Sequence, residues 1–148
     1  MNMSLQRFLN NRWIREHQTS AHEIADLLAI ADRDLEQSQT PGLEPEWRFD
    51  IAYNAALQLA TAALAAAGFR AERENKHLRT IECLQFTVGL DRKDIDILDR
   101  FRRKRHIAVY DRVGAISDQE ADEMFELAAR LRRLVEDWLQ REHRDLVQ

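Results

Sequence analysis

Glycine and proline are scarce: the chain has 4 of the first and 2 of the second in 148 residues. Sandwiches and barrels of short strands need both at regular intervals, so their scarcity argues against that architecture and for long helices. Cysteine is scarcer still. Cys83 stands alone, which excludes an internal disulfide, a Cys-x-x-Cys motif and a Cys/His zinc pattern. Between Ile81 and Leu84 it reads as a small buried apolar residue. Long apolar runs are missing too. The most apolar stretch, residues 55–67, is too short to span a bilayer and carries Gln58 and Thr61. Residues 1–9 hold no apolar core of signal-peptide length, so a cytoplasmic protein without membrane association is expected. His17, His22, His77 and His143 are scattered, with no metal-like pair on one face. Gly-rich phosphate loops, nucleophile elbows and paired-carboxylate signatures are absent. No metal site and no cofactor are expected.

Apolar residues make up 45% of the chain, enough for one core, and charged residues 32%, which makes for a densely charged surface rather than a disordered chain. The net charge of -4 argues against nucleic acid as a partner for the molecule as a whole, although a total conceals local patches. No repeat or low-complexity segment divides the sequence, so residues 1–148 read as a single domain.

Every readable segment is helical. Leu5, Phe8, Leu9 and Trp13 recur at helical spacing from about Ser4. Ser20-Ala21-His22-Glu23 is a capping-box pattern, followed by Ile24, Leu27, Leu28, Ala31 and Leu35 on one face. Pro41-Gly42 and Pro45 mark a loop. Residues 45–67 predict a third helix, apolar on most sides, with one polar stripe of Asp50, Asn54, Gln58 and Thr61, and Gly68 at its end. Such a helix is expected to be central. Its stripe reads first as a solvated face; a cleft lining or an ion-paired seam with a basic helix stay open. Further helices are predicted over about 76–88, ended by Gly89, and over about 91–113, with Ile95, Leu98, Phe101 and Ile107 inward and Gly114 as breaker. Ser117-Asp118-Gln119-Glu120 caps a last helix, whose stripe runs from Ala121 through Met124, Leu131 and Val135 to Leu139. The expectation is an all-α bundle of five or six helices with no sheet.

The chemistry concentrates in residues 100–112. Arg100, Arg102, Arg103, Lys104, Arg105 and Arg112 stand there against a single acid, Asp111. Charge so concentrated repels itself unless phosphate or neighbouring carboxylates offset it. Asp94, Asp96 and Asp99 lie just upstream, and Glu120 and Asp122 just downstream. His106 and Tyr110 share a helix face, with Arg102 one turn earlier. Arg, His and Tyr together could bind a phosphodiester, move a proton and supply a hydroxyl. On spacing alone the first reading is the plainer one, that the basic face pairs with acidic neighbours while Tyr110 anchors the core, since charge runs are usually solvated faces.

Arg102-Arg103-Lys104-Arg105-His106-Ile107-Ala108-Val109-Tyr110-Asp111 resembles the signature Arg-Arg-Lys-Arg-Asn-x-x-x-Tyr-Asp of a stand-alone branch of the prokaryotic HEPN superfamily. Ala52-Tyr53-Asn54-Ala55-Ala56-Leu57, residues 63–70, His77, the Ser117 capping box and the closing helix resemble the same branch, so the similarity spans roughly residues 20–139. It implies a HEPN-like helical bundle that forms a homodimer, with the signature helices facing each other across a cleft. It implies a metal-independent ribonuclease motif in which an Arg is followed by a polar residue and, a turn later, a His. Carried over, Arg105 is the motif Arg, His106 the polar residue, and Tyr110 stands where the catalytic His would be. Tyrosine, with an ordinary pKa near ~10, is a poor base at neutral pH. A shifted frame pairs Arg100 with His106 instead. Arg105, His106 and Tyr110 are the candidate catalytic residues, and Arg100, Arg102, Arg103 and Lys104 the candidate anion- or RNA-binding ones. Two readings stand. One is an RNA-directed protein of toxin or defence type, a ribonuclease if catalytic. The other is a non-catalytic dimeric module that binds nucleotide, RNA or a partner protein, with an antitoxin or a nucleotidyltransferase as the partner that the resemblance implies.

Overall fold

The computed structural model describes residues 3–110 and 115–147, with side chains described over 4–105 and 115–147. In chain order the elements are α1 (Met3–Asn10), β1 (Ile14–Glu16), α2 (Ala21–Gln37), α3 (Pro45–Ala66), β2 (Phe69–Ala71), α4 (Lys76–Glu82), a 3-10 turn (Cys83–Gln85), α5 (Arg92–Tyr110), α6 (Asp118–Glu142) and a closing 3-10 turn (Arg144–Leu146). Helices dominate, as the periodicity predicts. The expected extension of the fifth helix to Val113 and the break at Gly114 lie outside the described residues.

The helix ends follow local chemistry. Ser117 and Glu120 form the predicted reciprocal box at α6: each side chain accepts a bond from the other's backbone N–H at 3.1 Å. At α2 only half of the predicted box forms. Ser20 Oγ accepts from the Glu23 N–H at 3.1 Å, but the Glu23 carboxylate turns to Thr19 Oγ1 at 2.5 Å and His17 Nε2 at 2.8 Å. Pro45 opens α3 at a position where a backbone N–H would lack an intrahelical partner. Gly68 follows its C-cap with φ of +99°, a conformation that releases the chain from the helix without Cβ strain.

The expectation of no sheet is corrected by a small antiparallel ribbon, in which Ile14 pairs with Ala71, Arg15 with Arg70 and Glu16 with Phe69. The ribbon ties the N-terminal segment to the end of α3. It does so over a satellite cluster of Leu5, Phe8, Ile14, Leu64, Ala71 and Cys83. Arg79 stacks its guanidinium 3.6 Å from the Trp13 ring centroid beside this cluster. Cys83 is buried there, and burial pushes its thiol up to about 12, which leaves it unreactive at neutral pH.

The main core surrounds α3. Thirteen of its 22 residues are buried, too many for one amphipathic stripe, so α2, α5 and α6 all pack around it. Phe49 of α3 meets Phe101 of α5 edge to face, with ring centroids 5.2 Å apart. α3 thus finds cover for its apolar sides within the chain. Among the described residues Trp47 is the one large apolar side chain that is exposed, at 61%. No helix among the described residues is long and apolar enough to cross a membrane.

Leu59 lies fully buried at the centre of α3. Leu59→Ala is expected to lower the free energy of unfolding by about 2–5 kcal/mol in a urea titration. Trp47→Ala, at the exposed site, is expected to stay within roughly 0.5 kcal/mol of the parent. Similar losses for the two variants would contradict the central placement of α3.

Candidate functional site

Ile95, Leu98 and Phe101 recur at three-residue steps on α5, and all three are buried. They fix which face of the helix turns inward and leave the basic residues to the flanks. Ile107, the fourth inward candidate, has its side chain outside the described residues.

The basic run is divided among partners on three helices. On α5 itself, Arg102 donates from Nε to Asp99 Oδ1 at 3.0 Å, and its Nη2 lies 2.9 Å from the same oxygen. Exposed Arg103 stands 3.7 Å from Asp99 Oδ2. Lys104 pairs with Glu120, so the capping box of α6 is also its anchor to α5. Burial raises the Glu120 pKa, but the bonds from Lys104 and Ser117 outweigh it and hold the carboxyl below its ordinary value. Arg105 donates from Nε to Asp50 of α3. Arg100 is exposed, its guanidinium carbon 5.3 Å from the Phe101 ring centroid. Of the acids flanking the run in sequence, Asp99 and Glu120 serve it. Asp94 pairs with Arg130 at 2.6 Å, Asp96 with Arg92 at 3.3 Å, and Asp122 with Arg48. The side chains of His106 and Tyr110, and all of Asp111 and Arg112, lie outside the described residues.

Asp50 belongs to the polar stripe of α3, whose first reading as a solvated face is corrected. Asn54 Nδ2 donates to Oδ2 of buried Asp34 on α2 at 2.7 Å, Gln58 Nε2 donates to Asn54 Oδ1 at 3.3 Å, and Thr61 Oγ1 donates to the Leu57 carbonyl at 2.8 Å. The stripe is a half-buried seam, bonded to α2 on one side and ion-paired to α5 on the other.

Two side chains that composition and spacing do not mark for chemistry feel the charges of Arg102 and Arg105. Tyr53 of α3 is almost wholly buried, at 1% exposure, and the Arg105 guanidinium carbon lies 5.2 Å from its ring centroid. Burial pushes its hydroxyl up to about 12, against the opposing pull of Arg105 and Arg102, so it stays protonated and can donate. His77, in the first turn of α4, has its pKa lowered by desolvation, then by the charges of Arg105, Lys76 and Arg102. It is therefore neutral at neutral pH. Tyr53 could have been found from its i, i+3 relation to Asp50 on the polar edge of the helix. Nothing local to His77 announces its neighbours, which arrive from α5. Arg105, one helical turn from Arg102, thus sits over the Tyr53 ring of α3, and the charges of both arginines reach His77 of α4. Among the described residues no group of three or more His, Cys, Asp or Glu is placed to hold a metal ion.

No family model matches the chain, and no curated protein is significantly similar to it.

The lowered His77 pKa gives a direct check on this arrangement. The His77 ring protons, followed by NMR against pH, are expected to titrate below the ordinary value of 6.5. In Arg105→Ala the midpoint is expected to move up, because one of the charges opposing protonation is gone. An unchanged midpoint in that variant would separate His77 from the arginine pair.

Proposed function

We propose that this chain is an RNA-directed domain of HEPN type, of the toxin or defence kind, that engages the RNA backbone at the α3–α4–α5 junction. The observation that carries the reading is Arg105 over the buried Tyr53 ring, one turn from Arg102, with the charges of both reaching a His77 imidazole whose pKa is lowered first by burial. Guanidinium forks match phosphate oxygens. A neutral histidine accepts a proton at physiological pH, and a phenol donates a hydrogen bond. These are the functions that binding and metal-independent transesterification of an RNA strand require. The resemblance of residues 102–111 to the HEPN signature supports the same reading and makes Arg105 the motif arginine, which we assign to phosphate contact; because histidine titrates near neutral pH and tyrosine does not, His106 is the proposed proton carrier and Tyr110 orients the substrate through its hydroxyl. The resemblance also supports a homodimer, which sedimentation velocity at tens of micromolar tests directly.

One observation favours a second reading, a non-catalytic module that binds RNA, nucleotide or a partner protein such as an antitoxin or nucleotidyltransferase. Arg102, Lys104 and Arg105 are each already engaged by a carboxylate, which lowers the field available to stabilise a transition state.

The two readings separate in one assay. Wild type, Arg105→Ala and the Arg105→Ala/His106→Ala double variant are incubated with RNA in the presence of a chelator, and binding is followed against salt. The proposal predicts cleavage by wild type and none by the double variant. It predicts weaker binding by Arg105→Ala across sequences, with a salt dependence flatter by about one phosphate contact. Binding without cleavage would select the module. Absence of both, with a large loss of stability in Arg105→Ala, would leave the basic run as architecture only.

A further inference from the structure

Tyr53 is an exception on its own helix. Asp50, Asn54, Gln58 and Thr61 all find partners, whereas the Tyr53 hydroxyl is buried with no hydrogen-bond partner among the described residues. The other such atom, Arg79 Nε, belongs to a guanidinium that is otherwise employed, by Glu82 at 3.0 Å and by the Trp13 ring. Tyr53 has no second polar group to compensate. A buried unpaired hydroxyl destabilises a fold, and phenylalanine would fill the same space without that cost. An orphan of this kind is a donor left open to a ligand.

The surroundings state the chemistry of that ligand. Arg105 lies over the Tyr53 ring, Arg102 adds a second positive charge, and Asp50 and Asp99 stand beside them. The hydroxyl is a donor, so its partner is an acceptor. The hydrogen bond from Arg105 to Asp50 uses Nε, one of five guanidinium N–H groups. Two guanidiniums and two carboxylates leave the resting group neutral. A dianionic ligand would meet the full repulsion of Asp50 and Asp99, while a singly charged one with several acceptor oxygens could draw on all three donors. A phosphodiester meets both conditions; a terminal phosphate meets only the second.

We propose that the Tyr53 hydroxyl is a third donor of the anion site, reaching from α3 to a phosphodiester oxygen that Arg102 and Arg105 also hold. This rests on the RNA reading above and extends it by naming the backbone diester, rather than a terminal phosphate, as the group bound. Tyr53 is a positioning residue: it fixes the oxygen.

The test uses the full chain and Tyr53→Phe. An RNA oligonucleotide without terminal phosphates, a nucleoside 5′-monophosphate and inorganic phosphate are titrated against both proteins, and melting temperatures are recorded. Tyr53→Phe is expected to bind the oligonucleotide roughly tenfold more weakly, the loss of one hydrogen bond to a charged group. Its melting temperature is expected to equal or exceed that of wild type. The slope of affinity against salt should not change, because a neutral donor releases no counterion. Equal oligonucleotide affinity in the two proteins would overturn the role of Tyr53 and leave the RNA reading standing. So would a melting temperature several degrees lower, which would mark the hydroxyl as a structural partner. Binding of the monophosphate or inorganic phosphate but not of the oligonucleotide, weakened in Tyr53→Phe, would overturn the RNA reading and the diester assignment while keeping Tyr53 as a donor. No binding of any probe by wild type would overturn both.

Discussion

A helix buried on most of its circumference is stable only when most of the polar side chains it carries are partnered, and in this protein that constraint falls on α3. Each unmet group would cost about 1–3 kcal/mol, comparable to a large share of the net stability of a small domain. Asn54 therefore reaches across to Asp34, which also takes two bonds from Arg33, at 3.1 and 3.2 Å, and Gln58 extends the chain of bonds along α3. Asp50 takes Arg105. The apolar contacts of α3 hold the bundle together, but these polar ones decide how α2 and α5 sit against it. Hydrogen bonds demand distance and angle, whereas apolar packing tolerates sliding.

The same pairings convert a run of like charges into a structured surface. Six cations within residues 100–112 would repel one another on an isolated helix. In the folded chain Asp99, Glu120 and Asp50 approach from α5, α6 and α3 and absorb that repulsion. Arg100 and Arg103 remain exposed. The surface around α5 is therefore not an indiscriminate polycation, and any anion that binds at Arg105 competes with a resident carboxylate. Such competition lowers affinity for stray anions and favours a ligand that engages several donors together. In the RNA reading it separates a backbone held at several points from a free phosphate ion.

Much of the helical layout was legible because its signals are local. Ser20, Ser117, Pro45 and Gly68 mark helix ends through chemistry confined to a few residues, whereas the helix expected to run to Gly89 ends at Glu82 and gives way to a 3-10 turn over Cys83–Gln85. The thirteen buried positions of α3 are visible as an apolar run too broad for one face. The ribbon was not legible. Ile14-Arg15-Glu16 and Phe69-Arg70-Ala71 are three residues each, and their pairing partners lie far apart in the chain. The basic run was legible as a candidate site, and so was the choice between phosphate and carboxylate as its partner. Spacing could not indicate that Arg105 meets Asp50, 55 positions away, rather than the acids next to it in sequence. Nor could it bring His77 and Tyr53 within reach of the same arginine charges, because each lies on a different helix and only the packed bundle places them there.

Arg105 is a guanidinium held by a carboxylate of α3 and, in the proposed function, shared with the RNA backbone. The most direct measurement is RNA affinity in Asp50→Asn, which keeps the shape of the side chain and removes its charge. If Arg105 is divided between the two anions, this variant binds RNA several-fold more tightly than wild type while its folded state loses stability. Unchanged or weaker RNA binding, with the same loss of stability, would contradict the account and show that the Asp50–Arg105 pair serves the fold alone.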